Sequence, residues 1–122
     1  MILRKIRLQK SLVLHTLLGV VSPSKLGRML EPSGLGVEID EPIDPPIIML
    51  KVQELAGFGD RKAYGKWHMG IGGAIVTPDP DSVLNATKEY GLTAKEIGII
   101  TQKPGIRIRN RGASNDSKWL DF

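Results

Sequence analysis

A cluster of glycines ahead of an apolar run constrains the fold of this chain more than any other feature. The cluster lies in residues 70–73, Gly-Ile-Gly-Gly, and the apolar run continues to residue 77. A helix-start signal follows at once, because Asp79 is a favourable N-cap residue and Pro80 suits the first helical position. We therefore expect a strand over residues 69–77, buried on both faces, and then a helix that ends at Gly91.

Periodicity predicts the remaining elements. Strands are expected at residues 2–8, 35–39, 94–101 and 106–109, and residues 12–17 are compatible with either another strand or a buried helix. Helices are expected at residues 23–31, 45–56 and 60–67, each with a proline or an aspartate at its start. The second of these helices has an apolar stripe that is expected to face the core, formed by Ile47, Ile48, Leu50, Val52 and Leu55. The pattern predicts an α+β fold, a mixed sheet with helices packed on one face.

The length of 122 residues fits a single domain. We assign residues 1–111 to one α+β domain and residues 112–122 to a polar tail with an apolar end. Residues 112–117 are rich in glycine, serine and asparagine, which is typical of a mobile segment. Trp119, Leu120 and Phe122 are expected to dock, either on the parent domain or on another subunit, because exposing each costs about 1.5 to 3 kcal/mol.

Composition narrows the class of protein. A hydrophobic fraction of 41% with 25% charged residues is typical of a globular chain in water. The longest apolar run, residues 12–21, is shorter than the roughly 20 residues that a membrane helix needs. Basic residues ahead of that run imitate a signal peptide, but no small-x-small cleavage site follows. Because the chain has no cysteine, disulfides and thiolate chemistry are excluded, and we expect a cytoplasmic protein.

The net charge of +4 would suit an anionic partner. A basic strip, formed by Arg107, Arg109 and Arg111, alternates with other residues on the last predicted strand. Aromatic residues make up only 5% of the chain, so a solvated basic face is favoured over a nucleic-acid site with stacking aromatics. Glu38 and Asp40 form an acidic strand face and are expected to pair with Arg107 and Arg109 if the two strands are neighbours.

The residues with the most potential for binding are His68, Gly70, Gly72 and Gly73. Glycines let backbone amides approach an anion closely, and a neighbouring histidine can donate to a substrate or act as an acid. These glycines open a strand, however, whereas nucleotide-binding fingerprints place them between a strand and a helix. Close packing of two backbones is therefore the favoured explanation of Gly72 and Gly73, and an anion site is the alternative.

The sequence contains no complete catalytic group. His15 and His68 are the only histidines, and without cysteine they cannot complete a zinc site, so no metal is expected. No Gly-x-Ser-x-Gly elbow occurs, so no serine nucleophile is nominated. We assign no catalytic residue.

Several motifs follow one another as they do in a known enzyme family. Residues 69–72, Met-Gly-Ile-Gly, and residues 78–84, Pro-Asp-Pro-Asp-Ser-Val-Leu, precede a helix ending in glycine and a strand with Ile97-Gly98. Upstream lie residues 35–40, Leu-Gly-Val-Glu-Ile-Asp, and a helix that contains Gln53-Glu54. Over roughly residues 12–108 the chain resembles the C-terminal domain of phosphoribosylaminoimidazole (AIR) synthetase, also called phosphoribosylformylglycinamidine cyclo-ligase.

The resemblance implies an α+β domain from enzymes that use ATP to close the imidazole ring of a purine precursor. In that family an N-terminal domain supplies the acidic Mg-ATP ligands, and this sequence has no counterpart of it. We therefore expect no cofactor on this chain, with ATP and Mg²⁺ relevant only if a partner supplies that domain. Two departures argue against activity: the family's glycine-rich loop near His15 is largely lost in residues 16–21, and His68 stands where asparagine is usual.

Three hypotheses of function follow. The first is a stand-alone domain of this family without catalysis of its own, acting as an oligomeric or partner-binding subunit, because uncovered sheet edges and apolar faces favour association. The second is half of a split ATP-dependent synthetase that binds a ribosyl-phosphate-like substrate with His68 and the glycines. The third is a nucleic-acid-binding module that uses the basic strip and the basic N-terminal residues. No membrane partner is expected.

Overall fold

The computed structural model describes the backbone of residues 2–5 and the whole of residues 22–122. Its helices are α1 (Pro23–Leu30), α2 (Ile47–Ala56), α3 (Asp60–Lys66) and α4 (Pro80–Glu89), with a 3-10 turn, Glu31–Ser33, after α1. Its strands are β1 (Ile2–Lys5), β2 (Gly36–Ile39), β3 (Ile75–Thr77), β4 (Glu96–Thr101), β5 (Gly105–Arg109) and β6 (Trp119–Asp121). The element predicted at residues 12–17 lies outside the described residues, as does His15. Among the described helices, none combines the length and apolar character that crossing a membrane requires.

Six strands of the described residues form one sheet in the order β3-β1-β4-β2-β5-β6. β1 is parallel to β3 and β4, β2 is antiparallel to β4 and parallel to β5, and β5 is antiparallel to β6. The predicted strand-helix-strand unit is present as β3-α4-β4, with β1 lying between its two strands. The α+β fold with a mixed sheet is confirmed.

Local signals place the start of α4 and the end of α2 as expected, whereas α2 begins at Ile47, two residues later than predicted. The Asp79 carboxylate accepts the Ser82 backbone N–H at 3.2 Å and so caps α4, which begins with Pro80. Gly57 ends α2 with a φ of 64°, in the left-handed region where glycine is favoured. These signals depend only on neighbouring residues, which is why the sequence predicts them.

β4 carries an irregularity that brings its neighbours close. Its pairing with β1 shifts by one residue at Ile97, which is fully buried. A side chain at Gly98 would collide with the backbone of β2 at Glu38. Glycine is therefore required at this position, because any larger residue would push β2 away from β4.

The core is built from buried residues of β2, β4, β5 and β6, together with the inward side chains of α1 and α3. Three side chains from the segment before β3 complete it. Its buried members are Leu26, Leu30, Val37, Ile39, Ala63, Tyr64, Met69, Ile71, Ala74, Ile97, Ile100, Ile106, Ile108 and Leu120.

The prediction that the apolar stripe of α2 faces the core holds for Leu50, which packs against the core, and is wrong for the other four residues. Ile47 is 78% exposed, Ile48 68%, Val52 41% and Leu55 89%. The buried residue of α2 is instead Gln53, which is polar. Helical spacing shows that a helix has an apolar face, but it does not show which face meets the core.

Gln53 faces inward because it serves a buried carboxylate, Asp60, at the start of α3. Asp60 is 1% exposed, and a buried charge is tolerated only when it is well hydrogen-bonded. Its Oδ1 accepts from Gln53 Nε2 at 2.6 Å and from the Ser114 N–H at 2.9 Å, and its Oδ2 accepts from Asn110 Nδ2 at 2.6 Å. Gln53, Asp60 and Asn110 thus form a buried polar network that joins α2, α3 and the end of β5.

The buried polar network also holds residues 110–117. Gln53 Oε1 accepts from the Ala113 N–H at 3.1 Å, and Asn110 Nδ2 donates to the Ser117 carbonyl oxygen at 2.8 Å. A Cβ at Gly112 would collide with the Asp60 carboxylate, so only glycine fits there. The prediction that residues 112–117 are mobile is therefore wrong. Their glycine and polar side chains belong to a loop fixed by hydrogen bonds.

The residues after this loop form β6, a strand that the sequence analysis does not predict. Leu120 is buried and lies opposite Ile108 of β5. The Phe122 N–H donates to the Ile106 carbonyl oxygen at 2.8 Å. The apolar C-terminal residues therefore dock on the parent domain, which is one of the two possibilities that the sequence leaves open.

The charge of Asp60 contributes to stability in a pH-dependent way. Burial acts to raise the pKa of its carboxyl, but the hydrogen bonds from Asn110, Gln53 and the Ser114 N–H outweigh burial and hold the pKa below its ordinary value. A lowered pKa in the folded state stabilises the fold above the unfolded-state pKa of about 4. That stabilisation is lost as the pH falls through the folded-state value.

We expect Asp60→Asn to lower the free energy of unfolding by about 2 to 4 kcal/mol at neutral pH, because buried N–H donors lose acceptors. Wild-type stability should decrease as the pH is lowered below about 4, and the variant should show a flatter decrease. Urea denaturation across this pH range measures both. Asp40→Asn, at an exposed position, is the matched control and should keep the wild-type profile. Parallel pH profiles for wild type and Asp60→Asn would contradict the role of this carboxylate.

Candidate functional site

The segment between α3 and β3 contains a tight turn around His68. Met69 and Gly70 both have positive φ angles, 47° and 94°. The Gly70 N–H donates to His68 Nδ1 at 3.0 Å, and the Ile71 N–H donates to the His68 carbonyl oxygen at 2.9 Å. The histidine therefore holds the turn with both its ring and its backbone.

Gly70 is needed at this turn for two reasons. Its φ is one that residues with a side chain rarely adopt. A Cβ would also lie 3.0 Å from Pro46 Cδ and 3.4 Å from the Asp44 carbonyl oxygen. At Gly70, both the backbone angle and the nearby atoms therefore favour glycine.

Gly72 and Gly73 are different. Both are exposed, and a Cβ on either would have no described atom outside its chain neighbours within 4 Å. No backbone of the described residues packs against them, so the packing explanation of these two glycines gains no support there and stays a prediction. The strand predicted over residues 69–77 is also shorter than expected, since only Ile75–Thr77 pairs in the sheet. The two glycines lie in an open loop that leads into β3.

The loop of residues 68–73 has groups that could meet an anion. Because His68 Nδ1 accepts a hydrogen bond, the proton of the neutral ring lies on Nε2, which leaves one N–H donor. His68 is half-buried, and the open backbone at Gly72 and Gly73 leaves room for a ligand to approach. Within residues 22–122, no group of three or more histidine, cysteine, aspartate or glutamate side chains could hold a metal ion. The loop thus has an N–H donor and open backbone, and the described residues place no metal-binding cluster beside it.

Tyr64 is a buried polar residue between the core and this region. Burial is the main cause that raises the pKa of its hydroxyl to about 12. The phenol therefore stays protonated at neutral pH and cannot act as a general base.

The basic strip is divided among different contacts. Arg107 Nε lies 3.4 Å from Asp121 Oδ1, and its guanidinium lies 5.0 Å from the centre of the Trp119 ring. Arg111 Nε lies 3.9 Å from Asp44 Oδ1. Arg109 lies on the same strand as Arg107 and lines a surface pocket together with Arg111 and Lys118. The strip is not a continuous row of free cations.

The expected pairing of the strip with the acidic face of β2 is only half right. β2 and β5 are neighbours, and Glu38 stands opposite Arg107 in their register. The ion pair of Arg107 nevertheless goes to Asp121 on β6, on the other side of β5. The sequence does not predict β6, and for this reason it does not predict Asp121 as the partner of Arg107.

Sequence reasoning missed the buried polar network and the fixed loop of residues 110–117. A signal for the network exists, since Gln53 interrupts an apolar helix, but nothing local connects it with Asp60 or Asn110. This part of the molecule is defined by hydrogen bonds between residues far apart in sequence. Asn110 and Asp60 are separated by 50 positions, and Ala113 and Gln53 by 60 positions.

Comparison with known proteins gives a consistent match. Residues 23–110 match the family model of the AIR synthase related protein, C-terminal domain. Phosphoribosylformylglycinamidine cyclo-ligase from Methanococcoides burtonii is 31% identical over 90 residues, 74% of this chain and 26% of the relative. Enzymes of the same name from Oceanobacillus iheyensis and an Exiguobacterium species are 33% and 32% identical over 84 residues, each covering 66% of this chain and 24% of the relative. The chain thus spans about a quarter of the length of these relatives. No solved structure gives a significant match.

Two glycine substitutions distinguish the turn from the open loop. We expect Gly70→Ala to lower the free energy of unfolding by about 1 to 3 kcal/mol, because of the strained φ and the contact with Pro46. Gly72→Ala should change it by less than about 0.5 kcal/mol. Thermal or urea denaturation of both variants measures the difference. Equal losses of stability would contradict the conclusion that glycine is required at Gly70 and not at Gly72.

Proposed function

The chain belongs to the family of the AIR synthase related protein, C-terminal domain, and we propose that it acts without catalysis of its own, as a subunit that self-associates through the outer face of α2. The name of the relatives describes an enzyme activity of proteins of which this chain matches about a quarter. In this proposal, the enzyme activity belongs to the roughly three quarters of the relatives that this chain does not match. The domain that it does match serves for self-association.

The observation that carries the proposal is the exposed apolar stripe of α2. Ile48, Val52 and Leu55 are four and three residues apart, so they lie along one side of the helix, with Ile47 beside them. All four are exposed. Contiguous apolar surface of this kind on a soluble protein marks an interaction site, because water contact with it is unfavourable.

The charged residues Lys51 and Glu54 of α2 are compatible with an interface at the apolar stripe. Lys51 Nζ and Glu54 Oε2 pair at 2.8 Å on the same helix. Because each neutralises the other within one subunit, this pair adds no unpaired charge when the neighbouring stripe is buried. An apolar centre with a paired polar rim is the usual composition of protein interfaces.

We expect the protein to be a dimer or larger oligomer at micromolar concentration by light scattering after gel filtration. Placing charges in the stripe with the double substitution Ile48→Asp and Leu55→Asp should shift it to the monomer, because a buried unpaired carboxylate is unfavourable at an interface. Leu92→Asp is the matched control, since Leu92 is also an exposed apolar residue but lies after α4. It should leave the oligomer unchanged.

A wild-type protein that is monomeric at these concentrations would refute self-association. Loss of the oligomer in the Leu92→Asp control to the same extent would also count against α2 as the interface. Circular dichroism of the variants distinguishes loss of association from loss of the fold.

The second candidate is half of a split ATP-dependent synthetase, and the open loop of residues 68–73 favours it. Gly72 and Gly73 leave room for a ligand, and the Nε2 proton of His68 is available to one. In this case the loop would bind a ribosyl phosphate only when a second protein supplies the ATP-binding half.

Isothermal titration calorimetry separates the two candidates. We expect no binding heat from ATP or ribose 5-phosphate with this protein alone. Heat that appears only with an added ATP-binding-domain protein, and that decreases with Gly73→Val, would establish the split synthetase. The Gly91→Ala variant has its glycine in another turn and is the control for a general loss of stability.

A further inference from the structure

The loop of residues 110–118 and the end of β5 line an open surface pocket that neither proposed function uses. It has a volume of about 440 Å³ and is lined by cationic side chains of Arg109, Arg111 and Lys118. Asp116 is the carboxylate that lines the same pocket. Three positive charges against one negative charge make this an anion-attracting concavity.

The arginines of the pocket are available to a ligand. Within the described part of the chain, Arg109 has no carboxylate within ion-pair distance. Arg111 has Asp44 at 3.9 Å, at the outer limit of an ion pair, and the Asp44 side chain is 85% exposed. An exposed ion pair of this kind contributes little to stability, so an incoming anion can take the place of the Asp44 carboxylate. Arg107, by contrast, is held by Asp121 and Trp119 outside the pocket.

The pocket is held in shape before any ligand arrives. The Asn110 N–H donates to the Lys118 carbonyl oxygen at 3.0 Å, which ties the two ends of the loop together. The Asn110 side chain donates to both Asp60 and the Ser117 carbonyl oxygen, and its Oδ1 accepts the Gly112 N–H at 2.8 Å. A fixed loop binds more tightly than a mobile one because no ordering entropy is lost on binding.

The outward side of the loop offers further donors. Asn115 has a φ of 47°, a left-handed conformation that asparagine tolerates, and its exposed side chain lines the pocket. Its amide can donate beside the guanidinium groups. Planar guanidinium donors with an additional amide match the oxygens of a phosphate group.

We propose that this pocket binds the phosphate group of a small phosphorylated molecule. The concave shape and the fixed loop favour a compact anion. An extended nucleic acid is disfavoured because Arg107 is already paired with Asp121, so the cationic residues do not continue along β5. The nearby aromatic residue, Trp119, already lies against Arg107 and is not free for stacking on a base.

The test is a titration with inorganic phosphate and with pyrophosphate, followed by nuclear magnetic resonance at constant ionic strength maintained with sodium chloride. We expect saturable shifts of the Arg109 and Arg111 side-chain N–H signals and of the amides of residues 115–118. Arg109→Gln should weaken binding about tenfold or more, because it removes charged donors. Lys118→Gln should weaken it in the same direction. Arg28→Gln is the matched control, an exposed arginine on α1 outside the pocket, and should bind as the wild type does.

Three results would overturn the proposal. The first is a shift that does not saturate, or that chloride alone reproduces. The second is an equal loss of binding in Arg28→Gln and Arg109→Gln. The third is strong, steeply salt-dependent binding of a single-stranded oligonucleotide with no binding of pyrophosphate, which would identify a nucleic-acid surface. None of these outcomes depends on whether the protein self-associates through α2.

Discussion

The hydrogen-bonded carboxylate of Asp60 is the interaction on which the C-terminal part of the structure depends. A charge that is 1% exposed is stable only if its oxygens are occupied, and three elements supply the donors. Those same donors fix the positions of α2, of the end of β5 and of the loop that follows. The loop in turn delivers β6 to the edge of the sheet. One buried carboxylate thereby sets the course of a segment that composition alone assigns to a free tail.

The same carboxylate accounts for the orientation of α2. Gln53 must face inward to donate to Asp60, and it does so at the expense of the apolar residues on the other side of the helix. A helix cannot direct both faces to one core, so the stripe with Ile48 and Leu55 lies on the surface. The internal polar contact and the proposed interaction surface are therefore two results of one rotation of the helix. A helix with leucine in place of Gln53 would have no such reason to turn its apolar side outward.

Sequence reasoning succeeded where the determining residues are neighbours. The start of α4 at Asp79 and Pro80, the end of α2 at Gly57 and the alternation in β5 all depend on local rules, and all are present. It failed where a residue's role depends on a partner far along the chain. Nothing in the local sequence distinguishes Gly70 from Gly72. Of the two, the described structure places Pro46 only beside Gly70. Likewise, the glycine cluster beside His68 predicts the candidate site, but which of its glycines are open follows only from the surrounding atoms.

The fixed loop has a consequence for the order in which the chain folds. The bonds from Asp60 to Asn110 and to Ser114 join residues 50 and 54 positions apart, and closing so long a segment carries a large entropy cost. The pairing of β2 with β5 also joins distant residues, whereas β5 and β6 pair residues that are close in sequence, such as Ile108 and Leu120. Because closing a short loop has the smaller entropy cost, the β5-β6 pair can form before the bonds of the buried polar network. β6 then covers the outer backbone edge of β5, which would otherwise be open to pairing with another molecule during synthesis and refolding.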